Sequence, residues 1–353
     1  MPALSRRRFL QTAAATLVAP AATLRAATQV PMADAHNHFG LLRDNRFAAR
    51  SLGTLLREAS IGLLSWNVVA DRVLIRTSAQ GNAQYREPNA GELARDFRQQ
   101  FERAVKLIED HKLLIVRDRA DLDKVLAGST GVVLACEGAD FLEGRLEELD
   151  EPLRRGLRHL QLVHYSRNAV GDFQTEAPRH NGLSAFGKDL VRTLNERGVL
   201  VDVAHGTEAL VLQTLEISKA PVIWSHSYLA AQHGTFAARA FRGRALGLAV
   251  ARAIAKDGGA VGLWGLGVSF RGGDLPGYAD EILRMVDLLG PEHVMFGSDV
   301  DGLGNAAVIN RFGDLRNVAD KLAARGLDHQ TLHKLCIGNY ARCLGAAFAG
   351  KTT

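Results

Sequence analysis

The sequence predicts an α/β fold, a (β/α)8 TIM barrel, and three observations carry that expectation. From about residue 31 onward, short runs rich in Val, Leu and Ile alternate with longer amphipathic stretches, the pattern of strand and helix units around a parallel sheet. Eight such runs can be counted, and six of them end on His, Glu or Asp. No linker, repeat or low-complexity block divides the 353 residues, so one core of barrel size accommodates them. A doubly wound sheet would alternate in the same way. The ring of ionisable run ends favours the barrel, in which the C-terminal ends of all eight strands meet on one face.

The expected strands are 31–38, 61–69, 131–137, 157–164, 199–205, 221–226, 259–263 and 293–299. Each is short, apolar and bounded by Gly, Pro or polar residues. Helical spacing of apolar residues separates them, for example at 92–110, 186–197, 207–218, 245–256 and 278–289. Two further helices, 311–325 and 331–336, are expected to close the chain.

Hydrophobic residues make up 47% and charged residues 23%, near the average of soluble globular chains, and no apolar run reaches the roughly 20 residues that span a bilayer. The formal charge of +5 suggests nucleic acid as a partner until its location is examined. Residues 1–27 hold Arg6, Arg7, Arg8 and Arg25 and no acid, so the rest carries 39 basic against 38 acidic residues. A nearly neutral body has no basic stripe to neutralise phosphates, and no nucleic-acid partner is expected.

Ser5-Arg6-Arg7-Arg8-Phe9-Leu10-Gln11 precedes an Ala-rich apolar stretch from Thr12 to Leu24. This reads as a twin-arginine export signal cut near Ala26 or Ala27, leaving 28–353 as a single barrel domain. The expected partner is then the twin-arginine export machinery, and the expected location periplasmic or exported. Cys136, Cys336 and Cys343 form no Cys-x-x-Cys pair and are odd in number, so neither a disulfide framework nor a thiolate metal site is indicated. Cys136, beside a candidate ligand, is expected to pack behind the site.

The chemistry sits at the strand ends. His36 and His38 lie two apart on the first strand, so their side chains share a face, and imidazole is the commonest zinc ligand. Glu137 ends an apolar strand next to Gly138; alone it would cap the next helix, but in a two-metal site it can bridge ions about 3.5–4 Å apart. His205 and His226 end two neighbouring strands and can serve a second ion, although either alone could be a hydrogen-bonded core histidine. His164 can ligate, or donate to an oxyanion. Asp299, at the end of the eighth strand, is within reach of a water at the metals and can carry its proton to the leaving amine. Asp301-Gly302 reads as an Asx-turn.

In order along the chain, the following segments resemble the marks of the renal (membrane) dipeptidase family: His36 with its flanking Asp34, Glu137-Gly138, Gly182-Leu183-Ser184-x-Phe186-Gly187, the stretch from Asn195-Glu196-Arg197-Gly198 to Val201-Asp202-Val203-Ala204-His205, Ser225-His226-Ser227, Gly297-Ser298-Asp299-x-Asp301-Gly302 and Gly338-Asn339-Tyr340. The resemblance runs from about residue 31 to 345. It implies an exported bacterial metallopeptidase, amidohydrolase-like, with two zinc ions per chain that hydrolyse small-molecule dipeptides. Glu137 would bridge the ions, His205 and His226 would hold one, and His36, with its neighbour His38, the other. His164 would lie near the scissile carbonyl and Asp299 would shuttle the proton, while a hydroxide shared by the ions attacks.

Two departures from the family pattern stand out. The family has His-x-Asp on the first strand where this chain has His38, which removes one negative charge from a site holding two dications. After His226 the loop carries Arg239, Arg242 and Arg244 in place of an Arg-Asn-x-x-Asp element. Arg244 aligns best, by its distance to the next strand, with the arginine that grips the substrate carboxylate. Other reactions on the same metals, on a lactone, an N-acyl amino acid or a phosphoester, remain open beside dipeptide hydrolysis. So does a catalytically inactive exported barrel. The sequence leaves a homodimer as the open question of assembly.

Overall fold

Eight strands pair in chain order, each parallel to the next: β1 (Met32–Asn37), β2 (Ile61–Val69), β3 (Gly131–Glu137), β4 (Leu157–Gln161), β5 (Leu200–Asp202), β6 (Ile223–Ser227), β7 (Ala260–Leu263) and β8 (Val294–Phe296). The barrel closes where the segment after β8 meets β1. There Asn37 bridges Val300 in parallel, His38 N–H donates to the Val300 carbonyl at 3.0 Å, and Asp299 N–H donates to the His36 carbonyl at 3.0 Å. This is a computed structural model, describing residues 30–42, 50–78, 81–230 and 242–350. The expected export segment lies outside the described residues.

β2 and β3 show why the pattern folds this way. Leu64, Trp66 and Val68, with Val132, Leu134 and Cys136, face outward and pack in the large cluster under the surrounding helices. Leu63 and Val133 face the barrel axis, in a second cluster with Leu200, Ile223, Ala260 and Met295. Helix Glu92–Asp110 lays Phe97, Phe101, Ala104, Val105 and Ile108 on the outer cluster at three- and four-residue spacing. Hydroxyl and carboxylate caps start the helices as their sequences suggest: Ser184 accepts from Gly187 N–H, Thr207 from Leu210 N–H and Asp274 from Gly277 N–H.

The structure corrects some boundaries. The ladders of β1, β4, β5 and β8 stop one to three residues before His38, His164, His205 and Asp299, which stand on the turns just beyond. His205 and Asp299 have φ of 67° and 56°, a left-handed conformation that ends an extended strand. The expected helix 278–289 begins earlier, at Leu275, behind its Asp274 cap, and the expected helix 245–256 begins at Leu248 after Gly247. The chain does not close on 331–336: helix His329–His333 passes through a π-helical turn, Lys334–Gly338, into helix Asn339–Ala349. Gly338 and Gly345 interrupt the sequence pattern there, but burial of Tyr340, Leu344 and Phe348 against the foot of the barrel overrides local propensity.

Two glycines decide how closely the last strands pack. A Cβ on Gly262 or on Gly297 would stand 1.8 Å from the Ser225 carbonyl oxygen. Only residues without a side chain let β6 approach here, and β6 carries His226.

Candidate metal centre

Glu137 is the hub, and four other parts of the chain bring imidazoles to it. Its Oε1 lies 3.5 Å from His36 Nε2, 3.3 Å from His164 Nε2, 3.3 Å from His205 Nε2 and 3.5 Å from His226 Nε2. Its Oε2 lies 3.3 Å from His38 Nε2, which in turn lies 3.3 Å from Asp299 Oδ1. All seven groups are buried. Within each histidine pair the Nε2 atoms approach each other, at 3.0 Å for His36 and His38 and 3.1 Å for His205 and His226. Tetrahedral coordination at about 2.0–2.1 Å sets ligand nitrogens roughly 3.3 Å apart, so both pairs are nearly at chelating distance.

The outer ring nitrogens are turned away and held. His38 Nδ1 is 2.8 Å from the Asn67 carbonyl, His226 Nδ1 is 2.9 Å from Ser225 Oγ, and His164 Nδ1 is 2.6 Å from Asp71 Oδ1. A carbonyl can only accept, so the neutral His38 ring donates through Nδ1 and aims a bare Nε2 at two carboxylate oxygens. Acceptor against acceptor at this distance requires a cation between them. A proton is one such cation: burial works to lower the His38 pKa, but hydrogen bonds and charge from Asp299 and Glu137 prevail and raise it to about 10. A metal ion is the other.

The remaining electrostatics fit ligation. Burial holds His205 and His226 well below the ordinary histidine range, reinforced by Arg244 and by neighbouring histidines, so both are in the neutral, ligating form. Burial pushes the Glu137 carboxyl up, yet His164, His36 and His205 prevail and keep it well below the usual range, ionised. Three overlapping sets have one ligating atom per residue within 4.8 Å of one another: His36, His38 and Asp299; His36, Glu137 and His226; Glu137, His164 and His205. The donor set, nitrogen and carboxylate with no thiolate, suits a divalent ion.

A cavity of about 480 Å³ opens over this cluster. Tyr165 and Trp264 line it, and Arg72, Thr77 and Asn82 border it. Thr77 and Asn82 belong to a small antiparallel hairpin in which Ile75 to Ser78 pairs with Gly81 to Gln84. Arg244 is 1% exposed, reaches His226 Nε2 at 3.4 Å and Gln174 Oε1 at 3.0 Å, and stands over the Tyr165 and Trp264 rings. Among the described residues no carboxylate pairs with it, and its Nε is buried without a partner. Burial draws its pKa below the ordinary arginine value. Arg242 shares its 3-10 turn, and Arg239 lies outside the described residues.

Sequence reasoning missed several residues that support this centre. Asp71, just past β2, holds both His164 Nδ1 and, at 3.0 Å, Tyr165 N–H. Asp140 accepts from Ser166 Oγ at 2.5 Å behind it. Inside the barrel, His159 joins Asp202 at 3.2 Å, Ser65 at 2.9 Å and Tyr340 at 3.2 Å. Asp71 follows the run Val68-Val69-Ala70, so a polar residue at the end of an expected strand was a signal available to find it. Cys136 is buried, and its thiol donates to the Gly138 carbonyl at 3.2 Å. Asp301 Oδ2 accepts from Gly40 N–H at 3.0 Å, tying the eighth-strand loop to the first.

A closed parallel barrel with carboxylates and imidazoles converging at the C-terminal rim defines a metal-dependent hydrolase of the (β/α)8 class. Residues 24–352 match the family model described as membrane dipeptidase, peptidase family M19, and the chain belongs to that family. Dipeptidase aclJ of Aspergillus oryzae is 26% identical over 350 residues, covering 90% of this chain and 78% of that protein. Dipeptidase tcpJ of Claviceps purpurea is 27% identical over 226 residues; the match covers 62% of this chain and about half, 51%, of that protein's length. Among solved structures, a metallo peptidase from Rhodobacter sphaeroides, liganded with a phosphinate mimic of the dipeptide L-Ala-D-Ala, superposes with a TM-score of 0.76 at 20% identity, covering 90% of this chain and 99% of that one.

Proposed function

We propose that this protein is a zinc-dependent dipeptidase with two ions per chain. The carrying observation is the single carboxylate of Glu137, flanked by five imidazoles at 3.3 to 3.5 Å with their Nε2 atoms turned inward. Family membership and the names of the relatives support the same reading.

Glu137 would serve both ions, with His36 and His38 holding one and His205 and His226 the other. When bound, the ions supply Lewis acidity and a water activated near neutral pH. Arg244, a buried cation with no carboxylate partner among the described residues, binds the substrate carboxylate beside Tyr165 and Trp264. His164 is raised to about 8, because Asp71 and Glu137 outweigh the opposing effect of burial. Its Nε2 donates to the oxygen that gains charge as the peptide bond is attacked. Asp299 takes the proton of the attacking water and returns it to the departing amine. The segment Ser5 to Gln11 supports export by the twin-arginine route to the periplasm, which delivers a folded barrel of residues 28–353 with its ions in place.

Elemental analysis of the purified mature protein should find two zinc ions per chain. Dipeptides, including those with a D-residue on the C-terminal side, should be cleaved, with activity lost on chelation and restored by zinc. Cleavage of lactones, N-acyl amino acids or phosphoesters in the same panel, with dipeptides untouched, would overturn the substrate assignment. Fewer than two ions and no turnover would mark an inactive barrel. Size-exclusion chromatography with light scattering decides whether the working unit is a homodimer.

A further inference from the structure

We infer that Gln174 is a positioning residue for substrate binding: its side-chain amide orients the Arg244 guanidinium for the substrate carboxylate without neutralising its charge. The inference rests on the reading of Arg244 given above and extends it to the loop after β4. Gln174 Oε1 accepts from Arg244 Nη1 at 3.0 Å, and Gln174 Nε2 donates to the Ala245 carbonyl at 3.1 Å. A guanidinium can only donate and a carbonyl can only accept, so these two partners fix which way the amide faces.

The loop that carries Gln174 is itself anchored. Gln174 N–H donates to the His205 carbonyl at 2.7 Å, and Phe173 bridges Gly206. Buried Asp172 accepts from the N–H groups of Arg179, His180 and Gly182, and its carbonyl accepts from Thr207 N–H at 3.1 Å. On the other side of the contact, Ser227 Oγ donates to the Arg244 carbonyl at 2.7 Å. Two held backbones, 70 positions apart, thus meet through one amide.

Charge explains why an amide stands there and not a carboxylate. A buried Asp or Glu in its place would pair with Arg244 and satisfy it before a substrate arrived, and separating that pair would cost affinity. Among the described residues, His226 Nε2 also meets the guanidinium, at 3.4 Å. When His226 ligates, that lone pair goes to the ion, and the hydrogen bond that orients Arg244 is then the one from Gln174.

The test uses the full mature chain loaded with zinc. Calorimetry measures the binding of a dipeptide isostere, with a methylene-amine in place of the peptide bond, and of its C-terminal amide; KM and kcat are measured on a dipeptide and on its amide. Gln174→Ala should weaken binding of the free-acid isostere, and raise KM for the dipeptide, about tenfold. Zinc content, kcat and affinity for the amide should stay near wild type. Gln174→Glu keeps an acceptor in place but answers the charge, so it should bind the acid no better than Gln174→Ala, whereas a residue that merely held the loop would be rescued by it. In an Arg244→Ala background, Gln174→Ala should add little, because it acts through that residue. Circular dichroism checks folding, and should the alanine variant unfold, the nearly isosteric Gln174→Met decides. Wild-type affinity for the acid in Gln174→Ala or Gln174→Glu, or equal losses on acid and amide, would overturn the inference while Arg244→Ala still discriminates acid from amide. An Arg244→Ala variant that loses both alike overturns the carboxylate reading, and the role of Gln174 with it.

Discussion

His164 Nδ1 lies 2.6 Å from Asp71 Oδ1, and the two residues are 93 positions apart in the chain. A buried carboxylate on the far side of the ring fixes the tautomer and aims Nε2 at the cavity. It also holds the His164 pKa up, at about 8, against the effect of burial. Replacing Asp71 by Asn should lower kcat by about 10–100-fold with little change in KM or in metal content. The imidazolium should also deprotonate earlier, so the basic limb of the pH profile should move to lower pH. Steady-state kinetics between pH 6 and pH 9 checks both, and an unmoved basic limb would remove the coupling.

Arg244 stands over Tyr165 and Trp264, which line the cavity, and pairs with no carboxylate among the described residues, which predicts that its partner arrives with the substrate. Arg244→Ala should raise KM about 10–100-fold, the equivalent of the roughly 1.5–3 kcal/mol of a charge-assisted hydrogen bond. For a dipeptide amide, which lacks the terminal carboxylate, the same substitution should cost much less. Equal losses on acid and amide would show that Arg244 does not meet that carboxylate.

Asp140 is buried close to Asp71, and burial first, then the Asp71 charge, raises its carboxyl from 3.8 to about 7. The folded state therefore binds a proton that the unfolded state releases near pH 4. The favourable contribution is complete below that point and is lost as the pH rises towards 7, the usual sign for a raised carboxyl. Asp140→Asn should flatten the fall in Tm of the metal-free protein between pH 4 and pH 7. Thermal denaturation of both proteins across that window is the check, and parallel curves would contradict it.

Gly297 is required by contact and not by flexibility, since a Cβ there would stand 1.8 Å from the Ser225 oxygen. Gly297→Ala must displace the backbone beside His226, at a cost of about 1–3 kcal/mol for overpacking. The variant should melt several degrees lower and bind its ions more weakly. A wild-type Tm with wild-type zinc affinity would show that the strands can part without disturbing the site.

The sequence already contained the eight strands, because hydrophobic periodicity is local and each buried strand must display it within a few residues. It also displayed the six ionisable groups at or just past strand ends, because charge at the end of an apolar run stands out against its neighbours. It marked Asp71 only as a polar residue past an apolar run, and could not show that it stands behind His164, or that Tyr340 closes the foot of the barrel against His159, because a contact between distant segments is not written in either of them. Nor could it show that the carboxylate of Asp299 turns towards His38. That relation exists only where the first and eighth strands are brought side by side by closure of the sheet, and closure is a property of the whole chain.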